Sequence, residues 1–253
     1  MKKNKEKHIF NFAKFKINNL FTNKKITIFT IILTICFATT IYTARNKIVK
    51  AISPELILKN MQLITPEIKE EKRYIIPQFF SHTNNLRRKN GSAFLAKGRF
   101  LYVEGFVFDV VGVPVENAVV KIWQTNHFGY YNHLVVNKED FTKYDIDFEG
   151  TGTCVTDSNG HYSFFTIIPG YYGDRAPHIN FIVEHEELGR LETAMYFPIH
   201  IKNTSDKVYK NMSQKSRYLV SCKLKNYSST DLEYGKKCSF DIRLNAFHHR
   251  KRY

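Results

Sequence analysis

The 253-residue chain is poor in cysteine, with four, and has one tryptophan and seven prolines. No two cysteines have the close spacing of a metal-binding motif such as C-x-x-C, which excludes the cysteine-rich zinc modules. Acidic residues are also few, 23 against 38 lysines and arginines, so the formal net charge is +15. The chain has no internal repeat. We therefore expect one domain preceded by a long accessory segment.

The positive charge is concentrated near the two ends of the chain. Residues 1–25 hold eight lysines against the single acid Glu6, and a second cluster lies in the basic tail, residues 247–253. Neither cluster is interleaved with a nucleic-acid-binding motif. Despite the high charge, the sequence therefore predicts no nucleic-acid partner.

One long apolar run spans residues 26–44, which are 19 residues without a charge. This length is close to the ~20 residues that a helix needs to cross a bilayer. Lysines crowd its N-terminal side, so we expect a basic cytoplasmic tail at 1–25, a single membrane-spanning helix at 26–44 and an extracytoplasmic domain. A cleaved signal peptide followed by secretion is the alternative. The anchor is favoured because the leader is long and Tyr42-Thr43-Ala44 is a poor cleavage site.

If the domain lies outside the cytoplasm, Cys222 and Cys238 could form a disulfide. Two free buried thiols are the equal alternative.

The region after Gly98 has the texture of an all-β protein, with short β-branched and aromatic runs separated by Gly, Asn, Asp and Pro. Residues 45–97 are predicted to be a partly helical spacer, with a short helix around 54–63. We expect an all-β fold, a β-sandwich of mostly antiparallel strands, at 98–246. The predicted strands are Phe100–Phe108, Ala118–Gln124, Gly152–Thr156, His161–Thr166, His178–Glu184, Arg190–Phe197, Arg217–Leu224 and Lys237–Leu244. The run Asp157-Ser158-Asn159-Gly160 predicts a tight hairpin turn.

Three stretches resemble the intradiol ring-cleavage dioxygenases, whose best-known members act on protocatechuate and catechol. They are 105–124, with Gly112-Val113-Pro114-Val115; 156–170, with Thr156-Asp157-Ser158-Asn159-Gly160; and the ending Phe240-Asp241-Ile242-Arg243-Leu244. Carboxypeptidase-regulatory-like modules, which only bind, share much of this pattern. The fold therefore cannot establish the chemistry, which depends on the site residues.

The resemblance implies a ferric iron site. Gly129-Tyr130-Tyr131-Asn132-His133 matches the family motif Gly-x-Tyr-x-His, which makes Tyr131 an expected iron ligand. The second ligand tyrosine falls on Tyr172, with Tyr171 as the alternative, and the first ligand histidine falls on His178. Phenolates are hard anionic donors that suit ferric iron, and imidazole fills further positions. The family also implies that Tyr172 is displaced by substrate and takes up its proton, and that Arg175 stabilises negative charge on the ring.

One position departs from the family pattern, which is His-x-His. Here the sequence is His178-Ile179-Asn180, and residues two apart in a strand point to one face, so Asn180 stands at the expected fourth ligand. Its amide oxygen is a weaker donor. The noncatalytic subunit of protocatechuate 3,4-dioxygenases tends to carry the same His-x-Asn.

Three alternatives follow from this departure. In the first, Asn180 or a nearby histidine such as His127, His133 or His161 completes a working iron site. In the second, the domain is an iron-free pseudoenzyme or partner subunit. In the third, the protein is a membrane-tethered binding module. The first is favoured, since a module that never bound iron has no need of the two tyrosines, Arg175 and His178. Together with the membrane helix predicted at 26–44, the resemblance then implies a membrane-anchored dioxygenase that cleaves small aromatic diols with dioxygen between the two hydroxyl-bearing carbons. It is compatible with a homo- or hetero-oligomer. Trp123 is assigned to the core.

Overall fold

The computed structural model describes residues 36, 37, 39, 40, 59, 63–70, 72–228 and 234–246. The chain divides into two compact units, Met1–Leu56 and Ile57–Tyr253. The account below concerns the second unit. The predicted basic tails at 1–25 and 247–253, and nearly all of the predicted membrane run at 26–44 and of the predicted helix at 54–63, lie outside the described residues.

The second unit consists mainly of β-strands. Six of the eight predicted strands are confirmed to within about two residues at each end. The strands are β1 (Phe100–Phe108), β2 (Val119–Trp123), β3 (Thr151–Val155), β4 (His161–Ile167), β5 (His178–His185), β6 (Gly189–Tyr196), β7 (Lys223–Ser228), β8 (Tyr234–Ser239) and β9 (Ile242–Arg243). Two short helices, α1 (Lys207–Asn211) and α2 (Gln214–Val220), lie between β6 and β7, and single 3-10 turns occur at Arg73–Ile75, Asn132–Leu134 and Ile201–Thr204.

The strands form two sheets. The first has the order β4-β1-β8-β7, with β9 also paired to β1, and the second has the order β3-β2-β5-β6. All pairs are antiparallel except β1 with β8 and β1 with β9. The core lies between the inner faces, where Leu101, Val103, Ile122, Phe164 and Phe181 are fully buried. The predicted all-β sandwich of mostly antiparallel strands is confirmed.

The prediction of a strand at Arg217–Leu224 is wrong in its first half, because α2 continues to Val220. The Ser213 side chain accepts a hydrogen bond from the Ser216 amide and caps this helix. The Arg217 side chain then donates to the main-chain carbonyls of Tyr209 and Met212, which fastens α2 to α1. The strand begins only at Lys223.

The predicted strand Lys237–Leu244 is interrupted at Phe240 and Asp241, which separate β8 from β9. The Asp241 carboxylate accepts a hydrogen bond from the main-chain N–H of Phe106 in β1. A side chain thus replaces the main-chain acceptor that a paired strand would supply. A side chain at Gly105 would place its Cβ 1.9 Å from the Phe240 carbonyl oxygen, so only glycine permits this approach. The Tyr162 hydroxyl donates to the same carbonyl at 2.6 Å.

The turn at 157–160 is present, but it is not a hairpin turn within one sheet. Gly160 has φ +75°, and the Asp157 side chain accepts from the amides of Asn159 and His161. The strands that it joins, β3 and β4, belong to different sheets. The turn therefore crosses from one layer of the sandwich to the other.

Residues 63–87 lie against the sandwich. The Ile68 amide donates to the Glu192 carbonyl of β6, and Thr65 exchanges hydrogen bonds with Arg243 of β9. Further on, Leu86 is fully buried in the core, and its amide donates to the Phe165 carbonyl of β4. The Ile68 contact places the first part of this segment over the second sheet, where the site lies, whereas the contacts to β9 and β4 attach it to the first sheet. Within the described part of the chain, no helix has the length and apolar character needed to span a membrane.

Candidate active site

Two loops bring Tyr131 and Tyr172 together, and glycines allow their backbones to touch. A Cβ at Gly129 would lie 2.1 Å from the Tyr171 carbonyl oxygen, and a Cβ at Gly170 would lie 2.4 Å from the Gly129 amide nitrogen. The Gly170 amide also donates to the Asn126 carbonyl at 3.0 Å. As a result, the Tyr131 and Tyr172 rings meet edge to face with centroids 5.3 Å apart.

Asn126 shapes the first of these loops from inside. Its Oδ1 accepts from the amides of Phe128 and Tyr130, and its Nδ2 donates to Asn132 Oδ1 and the Lys143 carbonyl. The side chain is fully buried. Asn126 therefore fixes the loop on both sides of Tyr131, a role that no sequence motif indicated.

Strand β5 supplies His178 and Asn180 on the outer face of the second sheet, opposite the core face that carries Ile179 and Phe181. Both polar side chains are 4% exposed. A polar pair buried on this face requires a covering layer, which the two tyrosine loops and residues 68–80 provide. Trp123 lies in this layer with Ile75 and Ile182, and its burial confirms the prediction that it is a core residue.

A cavity of about 840 Å³ opens in front of these residues. This volume is within the range of small-molecule sites, ~300–1,000 Å³. All five predicted site residues line it, namely Tyr131, Tyr172, Arg175, His178 and Asn180, and so does the alternative Tyr171. The resemblance thus selected residues that the fold places together.

Tyr131 Oη lies 3.5 Å from His178 Nε2 and 3.1 Å from Asn180 Nδ2. His178 Nδ1 lies 2.6 Å from the Ala176 carbonyl oxygen, which can only accept, so Nδ1 carries the ring proton. The lone pair is therefore on Nε2 and faces the Tyr131 oxygen. This tautomer is the one that metal-binding histidines use when their other nitrogen is fixed by a backbone carbonyl.

Burial sets the protonation states of this pair in the metal-free protein. Burial, followed by the positive charge of Arg175, lowers the pKa of His178 to about 4, so the imidazole is neutral at pH 7. Burial raises the pKa of Tyr131 well above its ordinary value, while the hydrogen bond from Asn180 and the charge of Arg175 act in the opposite direction. A cation at this position would reverse the balance in favour of the phenolate.

Arg175 is held by three residues that the sequence did not indicate. Its Nε donates to Asp206 Oδ2 at 3.2 Å, Nη1 to Glu70 Oε2 at 3.4 Å and Nη2 to Tyr196 Oη at 2.9 Å. Asp206 is fully buried and also caps α1 through the amides of Val208 and Tyr209. Burial by itself lowers the pKa of Arg175. Tyr196 and the two acids act in the opposite direction and raise that pKa above its ordinary value.

A tight turn links Tyr172 to Arg175, since the Arg175 amide donates to the Tyr172 carbonyl at 2.9 Å. Gly173, inside this turn, has φ +59°, which favours glycine. Fixing Arg175 therefore also positions Tyr172.

The three histidines predicted as possible substitutes for the fourth ligand do not line the cavity. His161 is on β4 of the other sheet, opposite Phe106, and His127 packs on Phe128. His133 is nearer, with its ring 5.7 Å from that of Tyr131, but its Nε2 lies 3.0 Å from the Ile75 carbonyl oxygen. We exclude His127 and His161 as completing groups, and His133 is already bound to the covering segment.

The donor set determines which metal fits. Among the described residues, no group of three or more His, Cys, Asp or Glu side chains could hold a metal ion. The candidate donors are instead two phenols and one imidazole, with Tyr131 Oη and His178 Nε2 directed at each other. Hard phenolate oxygens with an imidazole suit ferric iron, so the residues fit the ion that the resemblance implies.

Comparison with known proteins agrees with this chemistry. The family profile described as "Dioxygenase" matches residues 70–246. The chain is 41% identical over 118 residues to the protocatechuate 3,4-dioxygenase beta chain of Burkholderia cepacia, covering 44% of this chain and 48% of that protein. It is 36% identical over 124 residues to a putative dioxygenase of Rickettsia bellii, covering 47% and 60%. The matches thus span about half the length of these curated relatives.

Solved structures show the same fold. The dioxygenase domain of a dioxygenase carbohydrate-binding protein fusion from Streptomyces sp. SirexAA-E aligns with a TM-score of 0.56 at 22% identity, covering 73% of this chain and 99% of that one. Catechol 1,2-dioxygenase from Acinetobacter sp. ADP1 aligns with a TM-score of 0.55 at 22% identity, covering 73% and 63%. Since the family profile covers more than half of the sequence, the chain belongs to the intradiol ring-cleavage dioxygenase family.

Proposed function

We propose that this protein is a non-haem ferric dioxygenase that cleaves small aromatic diols between their two hydroxyl-bearing carbons. The observation that carries the proposal is the convergence of Tyr131 Oη and His178 Nε2, 3.5 Å apart, on a cavity that Tyr172 also lines. Tyr131, Tyr172 and His178 would hold the iron. When bound, the iron supplies the Lewis acidity and redox chemistry that bring a diol and dioxygen to reaction.

The two tyrosines differ in a way that suits two roles. Tyr131 is 2% exposed and accepts a hydrogen bond from Asn180, whereas Tyr172 is only partly buried. A buried and hydrogen-bonded phenol is held in place. The side chain of Tyr172 is only partly buried, so it is placed to move aside when a diol enters, and in its phenolate form it would accept the proton that the substrate hydroxyl releases.

Arg175 lies on the same wall with a side chain that is 17% exposed. Its charge lowers the proton affinity of Tyr131 and of His178, so it favours the ligand forms of both. The same guanidinium is available to stabilise negative charge on a bound ring. Because Glu70 and Asp206 share its hydrogen bonds, the group is held rigidly in place.

The wall of the cavity also suggests a preference among diols. The charged residues that line it are four cations, Lys69, Lys72, Arg175 and Lys207, against two acids, Glu70 and Asp174, and Lys69 is also paired with Glu67. A local excess of positive charge attracts anionic ligands. We therefore propose that diols with an acidic ring substituent, such as protocatechuate, bind better than catechol.

The test uses the purified full chain loaded with ferric iron. Stoichiometric iron and a broad visible tyrosinate-to-iron band are expected, followed by oxygen uptake with protocatechuate and, less strongly, catechol. Tyr172→Phe should alter the band and lose most of the oxygen uptake, whereas the matched variant Tyr171→Phe should keep both. A colourless protein without stoichiometric iron would contradict the proposal and favour the iron-free partner-subunit alternative.

A further inference from the structure

Asn180 stands where the family pattern has its second ligand histidine, and its side-chain contacts indicate a different role. The residue lies on β5 beside Trp123 of β2, with which it is in register. Its Nδ2 is 3.1 Å from Tyr131 Oη and 3.4 Å from the Trp123 carbonyl oxygen. The side chain is 4% exposed, so these contacts are made away from bulk solvent.

The Trp123 carbonyl determines which way the amide faces. A carbonyl oxygen only accepts hydrogen bonds, so the amide nitrogen of Asn180, and not its oxygen, must lie on this side. Trp123 is itself held between Asn180 and Thr151 by the strand pairing of β2. The same nitrogen therefore faces the Tyr131 oxygen, and an amide N–H that donates there offers no lone pair to a metal.

We infer that Asn180 is a positioning residue that donates a hydrogen bond to the Tyr131 oxygen, in place of acting as the fourth protein ligand. The inference rests on the proposed function, since it assigns the iron three protein donors, Tyr131, Tyr172 and His178. An N–H donated to a phenolate stabilises its charge. The same hydrogen bond also fixes the direction of the remaining lone pairs on the Tyr131 oxygen, so that they face His178 Nε2.

Two substitutions distinguish a hydrogen-bond donor from a metal ligand, because the two roles predict opposite effects on iron binding. Asn180→Asp would be a stronger, anionic ligand but would put a carboxylate against the Tyr131 phenolate. Asn180→Leu keeps the branched shape of the side chain and neither donates nor coordinates. If Asn180 is a donor, Asn180→Asp should weaken ferric iron binding at least tenfold, and Asn180→Leu should still bind stoichiometric iron.

The visible band gives a readout that a general loss of packing would not reproduce. Without the donated hydrogen bond, the Tyr131 phenolate gives up charge more readily, so the tyrosinate-to-iron band of Asn180→Leu should move to longer wavelength. The proposal is wrong if Asn180→Asp tightens iron binding while Asn180→Leu loses iron as His178→Gln does. It is also wrong if the band of iron-loaded Asn180→Leu is unshifted.

A measurement on the metal-free protein separates this inference from the proposed function. In ¹⁵N-edited NMR spectra, Tyr131→Phe should move the side-chain amide resonances of Asn180, because it removes their acceptor. Unmoved resonances would overturn the donor role. If they move but the wild-type chain binds no iron, the contact stands and the proposed function fails.

A second, independent observation concerns Cys222 and Cys238. Their Sγ atoms are 2.7 Å apart, and both side chains are buried, at 3% and 0% exposure. Cys222 directly precedes β7, and Cys238 lies in the paired strand β8. The fold thus holds two thiols in contact across adjacent strands.

The geometry points to a disulfide between Cys222 and Cys238 under oxidising conditions. With glutathione disulfide as the oxidant, the two S–H bonds break and one S–S bond forms. The two protons and two electrons convert the oxidant into two glutathione thiols. The bond would join the last two long strands of the first sheet.

Mass spectrometry of the full chain, oxidised with glutathione disulfide and alkylated after denaturation, tests this pairing. Alkylation at Cys36 and Cys154 only, with Cys222 and Cys238 reacting after reduction, is the expected result. Cys154→Ser should leave the pair unchanged. Alkylation of Cys222 and Cys238 before reduction, or their recovery as separate glutathione adducts, would overturn the proposal.

Discussion

The outer faces of the two sheets differ in what covers them. On β1 of the first sheet, the outward-facing Tyr102 and Glu104 are partly exposed, and Phe106 is 38% exposed. On β5 of the second sheet, the outward-facing His178 and Asn180 are 4% exposed. Strand β1 alternates between core and solvent, whereas the first six residues of β5 are all buried.

Within the described part of the chain, the difference arises from a second layer that covers the outer face of the second sheet and leaves that of β1 open. The loop that carries Tyr131, together with Ile75 and Phe80, packs on Trp123 and Ile182. Polar groups in such a layer lose contact with bulk water, so their charges and pKa values are set by neighbouring protein groups. The two sheets have similar strands, and the covering layer is what encloses the candidate site on one of them.

The largest expected effect comes from the ion pairs that fasten this layer. Arg175→Met should lower the free energy of unfolding by about 3–5 kcal/mol, because it leaves Glu70 and Asp206 buried without their cation. The matched change on the first sheet is Lys237→Met, which breaks the half-exposed pair with Glu104. It should cost under about 1 kcal/mol. Equal losses in urea denaturation would contradict the difference between the two faces.

Truncation of the outer faces sharpens the same comparison. Ile182→Ala should cost about 2–4 kcal/mol, because Ile182 is 3% exposed beneath the covering layer. Phe106→Ala removes a larger side chain from the open face of β1 and should cost about 1 kcal/mol or less. If Phe106→Ala proves more costly than Ile182→Ala in chemical denaturation, the second layer does not pack as described.

The buried His178 predicts a pH dependence for the metal-free protein. Its folded pKa of about 4 lies below the unfolded value of ~6.5, so the unfolded chain binds the extra proton first as the pH falls. Neutral, buried His178 therefore contributes up to about 3 kcal/mol to the free energy of unfolding. This contribution is fully present above pH ~6.5 and is lost as the pH falls toward about 4. Unfolding of wild type and His178→Gln across this window measures it. An identical pH dependence of the two proteins would be the contrary result.

The smallest effect is expected for a hydrogen bond inside the sandwich, away from the covering layer. Tyr162→Phe removes the bond to the Phe240 carbonyl and should cost about 1–2 kcal/mol in urea denaturation. Iron binding should not change, since Tyr162 faces the core and not the cavity. A loss of iron affinity would show that the two layers are more tightly coupled than their contacts indicate.

Short β-branched and aromatic runs bounded by Gly, Asn, Asp and Pro were sufficient to predict most strands, because this composition is local information. It failed at α2, where the cap at Ser213 favours a helix over the β-like composition of residues 217–220. It also failed at Phe240 and Asp241, where the interruption depends on Gly105 of a distant strand. A turn at 157–160 was predicted correctly, but the prediction of a hairpin was wrong, because the crossing between sheets depends on tertiary structure.

The candidate site was predictable where it follows short motifs. Tyr131, Tyr172 and His178 lie in two short stretches, and the structure brings them to one cavity. The partners of Arg175 were not predicted, because Glu70 and Asp206 are remote in sequence and meet it only in the folded protein. In the structure Asp206 also caps α1, but a cap position does not reveal the cation that the carboxylate binds.

The central claim is that the covered face of the second sheet performs intradiol ring cleavage. The most direct measurement is mass spectrometry of the product formed from protocatechuate under ¹⁸O-labelled dioxygen by the iron-loaded full chain. A ring-opened tricarboxylic acid is expected, with one labelled oxygen in each of the two new carboxyl groups and none in the carboxyl group that protocatechuate already carries. Unchanged protocatechuate, or a product labelled from water alone, would contradict it.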